Sequence, residues 1–146
     1  MTGLTKAAAA LLLLLYGCSA EGIRPVDIYP EDLCAACRMA ISDERFASEL
    51  IAADGTAYKF DDLGCLRKFR SDNAAVRPAG IFVKDFDTRA WVTYAAATIV
   101  TADVATPMAS GMVAFADTGR ARAFTAAHPA AHAGGDACCE VRKESP

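Results

Sequence analysis

Phe60-Asp61-Asp62-Leu63-Gly64-Cys65-Leu66-Arg67-Lys68-Phe69 returns in altered form as Phe115-Ala116-Asp117-Thr118-Gly119-Arg120-Ala121-Arg122-Ala123-Phe124. Five positions match: Phe60/Phe115, Asp62/Asp117, Gly64/Gly119, Arg67/Arg122 and Phe69/Phe124. The physical reading is the same in both copies. A Phe closes a strand, the Asp two residues on accepts from the free N–H groups of a helix start, and a short amphipathic helix follows. Leu66 and Phe69 face the core in the first helix, and Ala121 and Phe124 in the second.

Working outward, strands are expected at Phe46–Ala52 and Ala57–Phe60, with Asp54-Gly55 as the turn between them. Ile81–Asp85 and Trp91–Tyr94 read as a hairpin around Asp87-Thr88-Arg89. Thr98–Thr101 is β-branched and apolar, and Gly111–Ala116 leads into the second helix. Trp91 and Tyr94 are expected to pack on the sheet, and Met112 in the core. The fold class is therefore α+β, built from two small pseudo-repeated sheet-plus-helix (ββα-type) units. The units divide as residues 31–73 and 74–127. Residues 103–110, with Pro107 and the Ser110-Gly111 pair, form a loop before the last strand.

The chain has 146 residues, fifteen Lys and Arg against eighteen Asp and Glu, six Cys and 53% hydrophobic residues. Residues 1–17 read as a targeting segment, with Lys6 as the positive region and Ala7 to Leu15 as an apolar stretch too short to span a bilayer. Leu15-Tyr16-Gly17-Cys18 resembles the lipobox of bacterial lipoproteins, which makes Cys18 the acylated first residue of the mature chain. Ser19 then favours an outer-membrane destination, on the periplasmic side. Residues 18–30 form a linker. Without Lys6 the mature chain keeps fourteen basic residues against eighteen acidic ones. That balance argues against a nucleic-acid partner, which needs a basic face. Residues 128–146, with His128, His132, Cys138 and Cys139, read as a flexible tail. Pro129 spoils a helical ligand pair between the two histidines.

Cys34-Ala35-Ala36-Cys37-Arg38-Met39 carries the chemistry. Two thiols two residues apart can face one ion. Thiolate and thioether are soft donors that select Cu(I), and the thioether of Met39 speaks for copper over zinc. A Cys34–Cys37 disulfide is the competing reading in an oxidising compartment. Cys65, in the first turn of a helix, is a further candidate ligand, its thiol pKa lowered by the helix N-terminus. It also fits a small buried core residue. No Ser-His-Asp set, phosphate-binding Gly loop or paired-carboxylate site is evident, so the chain does not read as an enzyme.

These features together resemble the NosL-like copper chaperones, the accessory lipoproteins of nitrous-oxide reductase assembly. The residues that carry the resemblance are the lipobox at Cys18, Cys34 to Met39, Phe60-Asp61-Asp62 with Gly64-Cys65, and Thr106-Pro107-Met108-Ala109-Ser110-Gly111-Met112-Val113-Ala114-Phe115. Arg38 departs from the family, which usually has Gly there. An inward-pointing Arg38 would favour thiolate. The resemblance implies a two-repeat fold related to organomercurial lyase and delivery of Cu(I) to an acceptor protein or assembly transporter. It also implies that Met108 joins Cys34, Cys37 and Met39 as a copper ligand. Two other functions follow from the same residues. A thiol-disulfide oxidoreductase would need Cys34 at a helix N-terminus in a βαβ setting. An organomercurial lyase would need two thiols and an acid, drawn from Cys34, Cys37, Cys65 and Asp61.

Overall fold

The computed structural model describes residues 22–134. Cys18, Ser19, Cys138, Cys139 and the targeting segment lie outside the described residues. In chain order the elements are β1 (Ser48–Ala52), β2 (Ala57–Phe60), α1 (Leu63–Asp72), β3 (Pro78–Lys84), β4 (Trp91–Thr93), β5 (Thr98–Thr101), β6 (Met112–Phe115), α2 (Thr118–Ala127) and β7 (His132–Ala133). Short 3-10 turns occupy Glu44–Phe46 and Tyr94–Ala96.

Both helices start as their sequences require. Phe60 ends β2 and Asp62 caps α1 by accepting from the Gly64 N–H. Phe115 ends β6 and Asp117 caps α2 by accepting from the Arg120 N–H at 2.7 Å. Leu66 and Phe69 are buried, as is Ala121, and Phe124 packs half-buried on its core.

The strands pair differently from two equal units. One antiparallel sheet has the order β2-β1-β3-β4 and the other β6-β5-β7. Strands β3 and β4, from the second half of the sequence, hydrogen-bond into the first sheet, with Leu50 opposite Ile81 and Val83 opposite Val92. The boundary between the sheets therefore falls after β4, not at residue 74. Part of the expected tail is also structured. β7 pairs with β5, placing Ala133 opposite Val100 and His132 opposite Thr101. The first strand begins at Ser48 and not at Phe46, because Asp43 caps the preceding turn by accepting from the Arg45 N–H.

Strands β5 and β6 of the second sheet send side chains into a core on each face. Side chains alternate along a strand, and here the alternation serves two cores. Ile99, Met112 and Ala114 pack with Leu50, Phe60, Leu66, Phe69 and Ile81. Val100, Val113 and Phe115 pack with Phe46 and Ala121, closed by Phe86 and Phe124. Asp85 ties the cores together. It is fully buried and accepts from the Ala116 N–H at 2.7 Å, the Thr88 N–H at 2.8 Å and Arg120 at 3.2 Å. Burial opposes its charge, yet these donors hold its carboxyl below the ordinary aspartate range.

Strand β1 is buried along its whole length. Leu50 and Ala52 enter the main core, while Glu49 points to the opposite face. There the Val26 N–H donates to Glu49 Oε2 at 2.9 Å and Oε1 has no partner. Burial pushes the Glu49 carboxyl above the ordinary value of 4.5. A raised carboxyl holds its proton longer in the folded state than in the unfolded chain. Stability is thus greatest below that ordinary value and falls as pH rises through the folded one. Glu49→Gln removes the titration. The variant is expected to melt higher than the parent at neutral pH, with the gap closing in acid, in thermal unfolding followed across pH.

Candidate metal centre

Cys34 and Cys37 sit in a tight loop closed by its own backbone. Leu33 and Ala40 form an antiparallel bridge. The Cys34 N–H donates to Met39 O at 2.8 Å, and the Arg38 N–H donates to Cys34 O at 3.0 Å. The loop rests on the end of β2, where the Ala35 N–H donates to Lys59 O at 2.8 Å. Lys59 Nζ reaches back to Asp27 O and Asp32 Oδ2, each at 2.6 Å. The next two residues after Lys59 are Phe60 and Asp61, so the anchor brings the loop to the acidic end of the strand.

Four donors meet there. Cys34, Cys37, Asp61 and Cys65 each offer one ligand atom, and all four atoms lie within 4.8 Å of one another. Cys34, Asp61 and Cys65 are buried, and Cys37 is partly open. The Cys37 thiol donates to Asp61 Oδ2 at 3.3 Å, and its own N–H points at Cys34 Sγ at 3.5 Å. Asp61 Oδ1 is buried with no hydrogen-bond partner. The three cysteines are free thiols, so the Cys34–Cys37 disulfide is not formed.

Burial dominates the thiol chemistry. It pushes Cys37 above its ordinary value, with Cys34 and Asp61 adding to the rise and the Met39 N–H opposing it. Cys65 is pushed up further, by burial first and then by Asp61 and Cys34. The helix N-terminus does not lower it as the sequence had suggested, because desolvation of a thiolate outweighs the helix dipole here. An arriving cation must displace protons, so its affinity rises with pH.

Met39 and Met108 are exposed at 47% and 43%. Met39 directly follows the Cys34–Arg38 turn. Met108 is held from the other side, since its N–H donates to Asp62 Oδ2 at 3.2 Å. The same oxygen accepts from Thr106 Oγ1 at 2.6 Å, and Thr106 Oγ1 accepts from the Gly111 N–H at 3.2 Å. Gly64 lets the loop come this close, because a Cβ there would stand 2.8 Å from Ser110 Cβ. Gly111 adopts φ +67°, and a Cβ would lie 2.4 Å from Ala102 O. Met112 is buried and accepts from Arg67 Nη1 at 3.3 Å, which places it in the core as expected.

Arg38 is exposed. Its φ of 68° lies in the left-handed region, which is strained for a residue with a Cβ. Cys34 stands in a turn and is not at a helix N-terminus, so the oxidoreductase setting is not found around it. Asp61 joins the thiols directly, although the sequence suggested it only as the acid of a lyase. Its signal was the Asp61-Asp62 pair, in which a single carboxylate suffices to cap α1.

An α+β fold carrying a clustered thiol–carboxylate site is a metal-binding architecture. The NosL family profile matches residues 25–137, and the chain belongs to that family. A solved structure described as the copper chaperone NosL from Shewanella denitrificans superimposes with a TM-score of 0.68. It is 16% identical and covers 83% of this chain and 98% of its own. No curated protein matches. Among the described residues no helix is long and apolar enough to cross a membrane.

Two substitutions test the framework. Arg38→Gly relieves the left-handed backbone and is expected to stabilise the fold by roughly 1 kcal/mol. Thr106→Val leaves the buried Asp62 carboxylate short of a donor and is expected to cost about 1–3 kcal/mol. Urea unfolding of the reduced chain measures both.

Proposed function

We propose that this chain is a copper chaperone, lipid-anchored through Cys18 at the periplasmic side of a bacterial membrane, with the outer membrane favoured by Ser19. It takes Cu(I) as cargo through Cys34 and Cys37 and passes it on past Met39 and Met108. The recipient is a copper acceptor or assembly transporter serving cuproenzyme maturation, with nitrous-oxide reductase as the end point. The observation that carries the reading is the convergence of three free thiols and the Asp61 carboxylate, with their ligand atoms within 4.8 Å of one another. Soft sulfur donors select Cu(I). Membership of the NosL family and the likeness to a protein described as a copper chaperone support the same assignment.

The chemistry suits a carrier better than a catalyst. Cys37 and Cys65, whose thiols burial holds protonated, bind only an ion able to displace their protons, which favours a soft, thiophilic cation over hard ones. Exposed thioethers are neutral and need no deprotonation, so they offer cargo a first and last contact. An acceptor presenting its own sulfur can reach the ion there before the thiolates release it.

The test is Cu(I) titration of the reduced chain against a competing Cu(I) chelator. One tight equivalent is expected, lost in the Cys34→Ser/Cys37→Ser double variant and strengthened as pH rises. Met39→Leu and Met108→Leu are expected to slow handover to the chelator about threefold, a barrier change of about 0.7 kcal/mol. A reduced chain that binds no Cu(I) would overturn the reading and bring the thiol oxidoreductase forward.

A further inference from the structure

Residues 22–27 carry no helix or strand, and they cross the outer face of the first sheet. Side chains alternate along β1, so Glu49 and Ile51 face away from the core that takes Leu50 and Ala52. Phe82 stands opposite Glu49 on β3, and Gly80 opposite Ile51. Ile51 and Phe82 are buried, yet neither belongs to the two cores. Ile23 fills the gap over Gly80, where a Cβ would stand 2.9 Å from Ile23 Cγ2. The Val26 N–H donates to Glu49 Oε2 at 2.9 Å, and Lys59 Nζ donates to Asp27 O at 2.6 Å. We propose that residues 22–27 form a displaceable strap latched by the proton on Glu49. The strap lies closed on the sheet while Glu49 is protonated and lifts away when Glu49 ionises.

The hold on the strap is thin. Among the described residues, those two hydrogen bonds are the only ones its backbone makes to the sheet, and Ile23 and Val26 are exposed. An element with so few hydrogen bonds and contacts opens at less cost than the strands beneath it. The opening has a natural stop. Ile28 packs on the main core, and the Tyr29 N–H donates to Asp32 Oδ2 at 2.7 Å, so the Cys34 loop stays in place.

The latch is a charge that opening solvates. Glu49 is 0% exposed, and its Oε1 has no partner. Lys59 from β2, Asp27 from the strap and Asp32 beyond it are the charged groups that face it. Lys59 is already paired with Asp32, and the two acids oppose a third negative charge. From β3 comes the uncharged Phe82, and Lys84 further along is paired with Glu44. Under a closed strap, an ionised Glu49 therefore has one N–H donor and no cation free of another carboxylate, which is unfavourable for a buried charge. Lifting the strap gives the carboxylate to water and its proton to solvent. Burial raises the Glu49 carboxyl in the closed form, so closure is most favoured below the ordinary value of 4.5. Opening then grows with pH, by up to about tenfold per unit, until the folded value is passed. The strap leads back toward Cys18. Once lifted, its six residues add up to about 20 Å of tether, a consequence that rests on the lipid-anchor reading, whereas the latch itself does not.

Hydrogen exchange of single amides in the full reduced chain, followed by NMR and corrected for intrinsic exchange at each pH, tests the latch. Between about pH 4 and about pH 7, protection at the Val26 amide is expected to fall at least about fivefold, while the amides of β1 and β3 keep theirs. In Glu49→Gln the Val26 protection is expected to be flat across the same range. Ile23→Ala, which removes apolar contact from the strap alone, is expected to lower Val26 protection at every pH and leave the strands unchanged. Val26 protection independent of pH in the parent chain would overturn the proposal. So would a fall shared equally by β1 and β3, or a fall that persists in Glu49→Gln. None of these measurements involves copper or the lipid, so their outcome is separate from the fate of the chaperone reading.

Discussion

The carboxylate of Asp62 is the contact on which the site depends. It is fully buried, and its two oxygens face two different parts of the chain. Oδ1 accepts from the Gly64 N–H and so starts α1. Oδ2 accepts from Thr106 Oγ1 and the Met108 N–H and so fixes the loop before β6. A buried carboxylate is costly unless its lone pairs are occupied, so it forces the helix start and the loop into one arrangement. Asp61 is its neighbour on one side and Cys65 follows three residues on. The cap therefore also sets the distance between the acid, the third thiol and Met108.

The second sheet extends this coupling to the whole molecule. Because β5 and β6 bury both faces, neither core can form fully without that sheet. Ile99 and Met112 press on the core that contains Cys34 and Cys65, while Val100 and Phe115 press on the core beneath α2. The loop bearing Met108 connects β5 to β6, so its ends are held by the strands that join the cores. Such a loop is positioned by rigid elements while its tip remains open, an arrangement common at binding sites.

The parts of the fold visible in the sequence are those fixed by local chemistry. Asp62 and Asp117 announce both helix starts, and Asp54-Gly55 marks the β1–β2 turn. Strand membership was not visible, because β3 pairs with β1 through contacts that depend on the chain returning across α1. β7 was missed for a related reason. Two residues with no apolar pattern become a strand only because β5 offers an open edge. In the site, Cys34 and Cys37 were legible from their spacing, whereas Asp61 was hidden beside the capping Asp62. Comparing the two similar segments exposes it. The second segment has Ala116 where the first has Asp61, and Arg120 where the first has Cys65.

That difference explains how similar backbone segments come to do different work. In the second segment, Arg120 ion-pairs with the buried Asp85 at 3.2 Å and closes its position with charge satisfied. In the first, Cys65 faces an acid and two further thiols, and Asp61 Oδ1 is left without a partner. An unsatisfied buried oxygen and three desolvated thiols are unfavourable inside a folded core. A thiophilic cation relieves the thiols by replacing their protons with metal–sulfur bonds. The cost of burying these groups is thus a source of affinity.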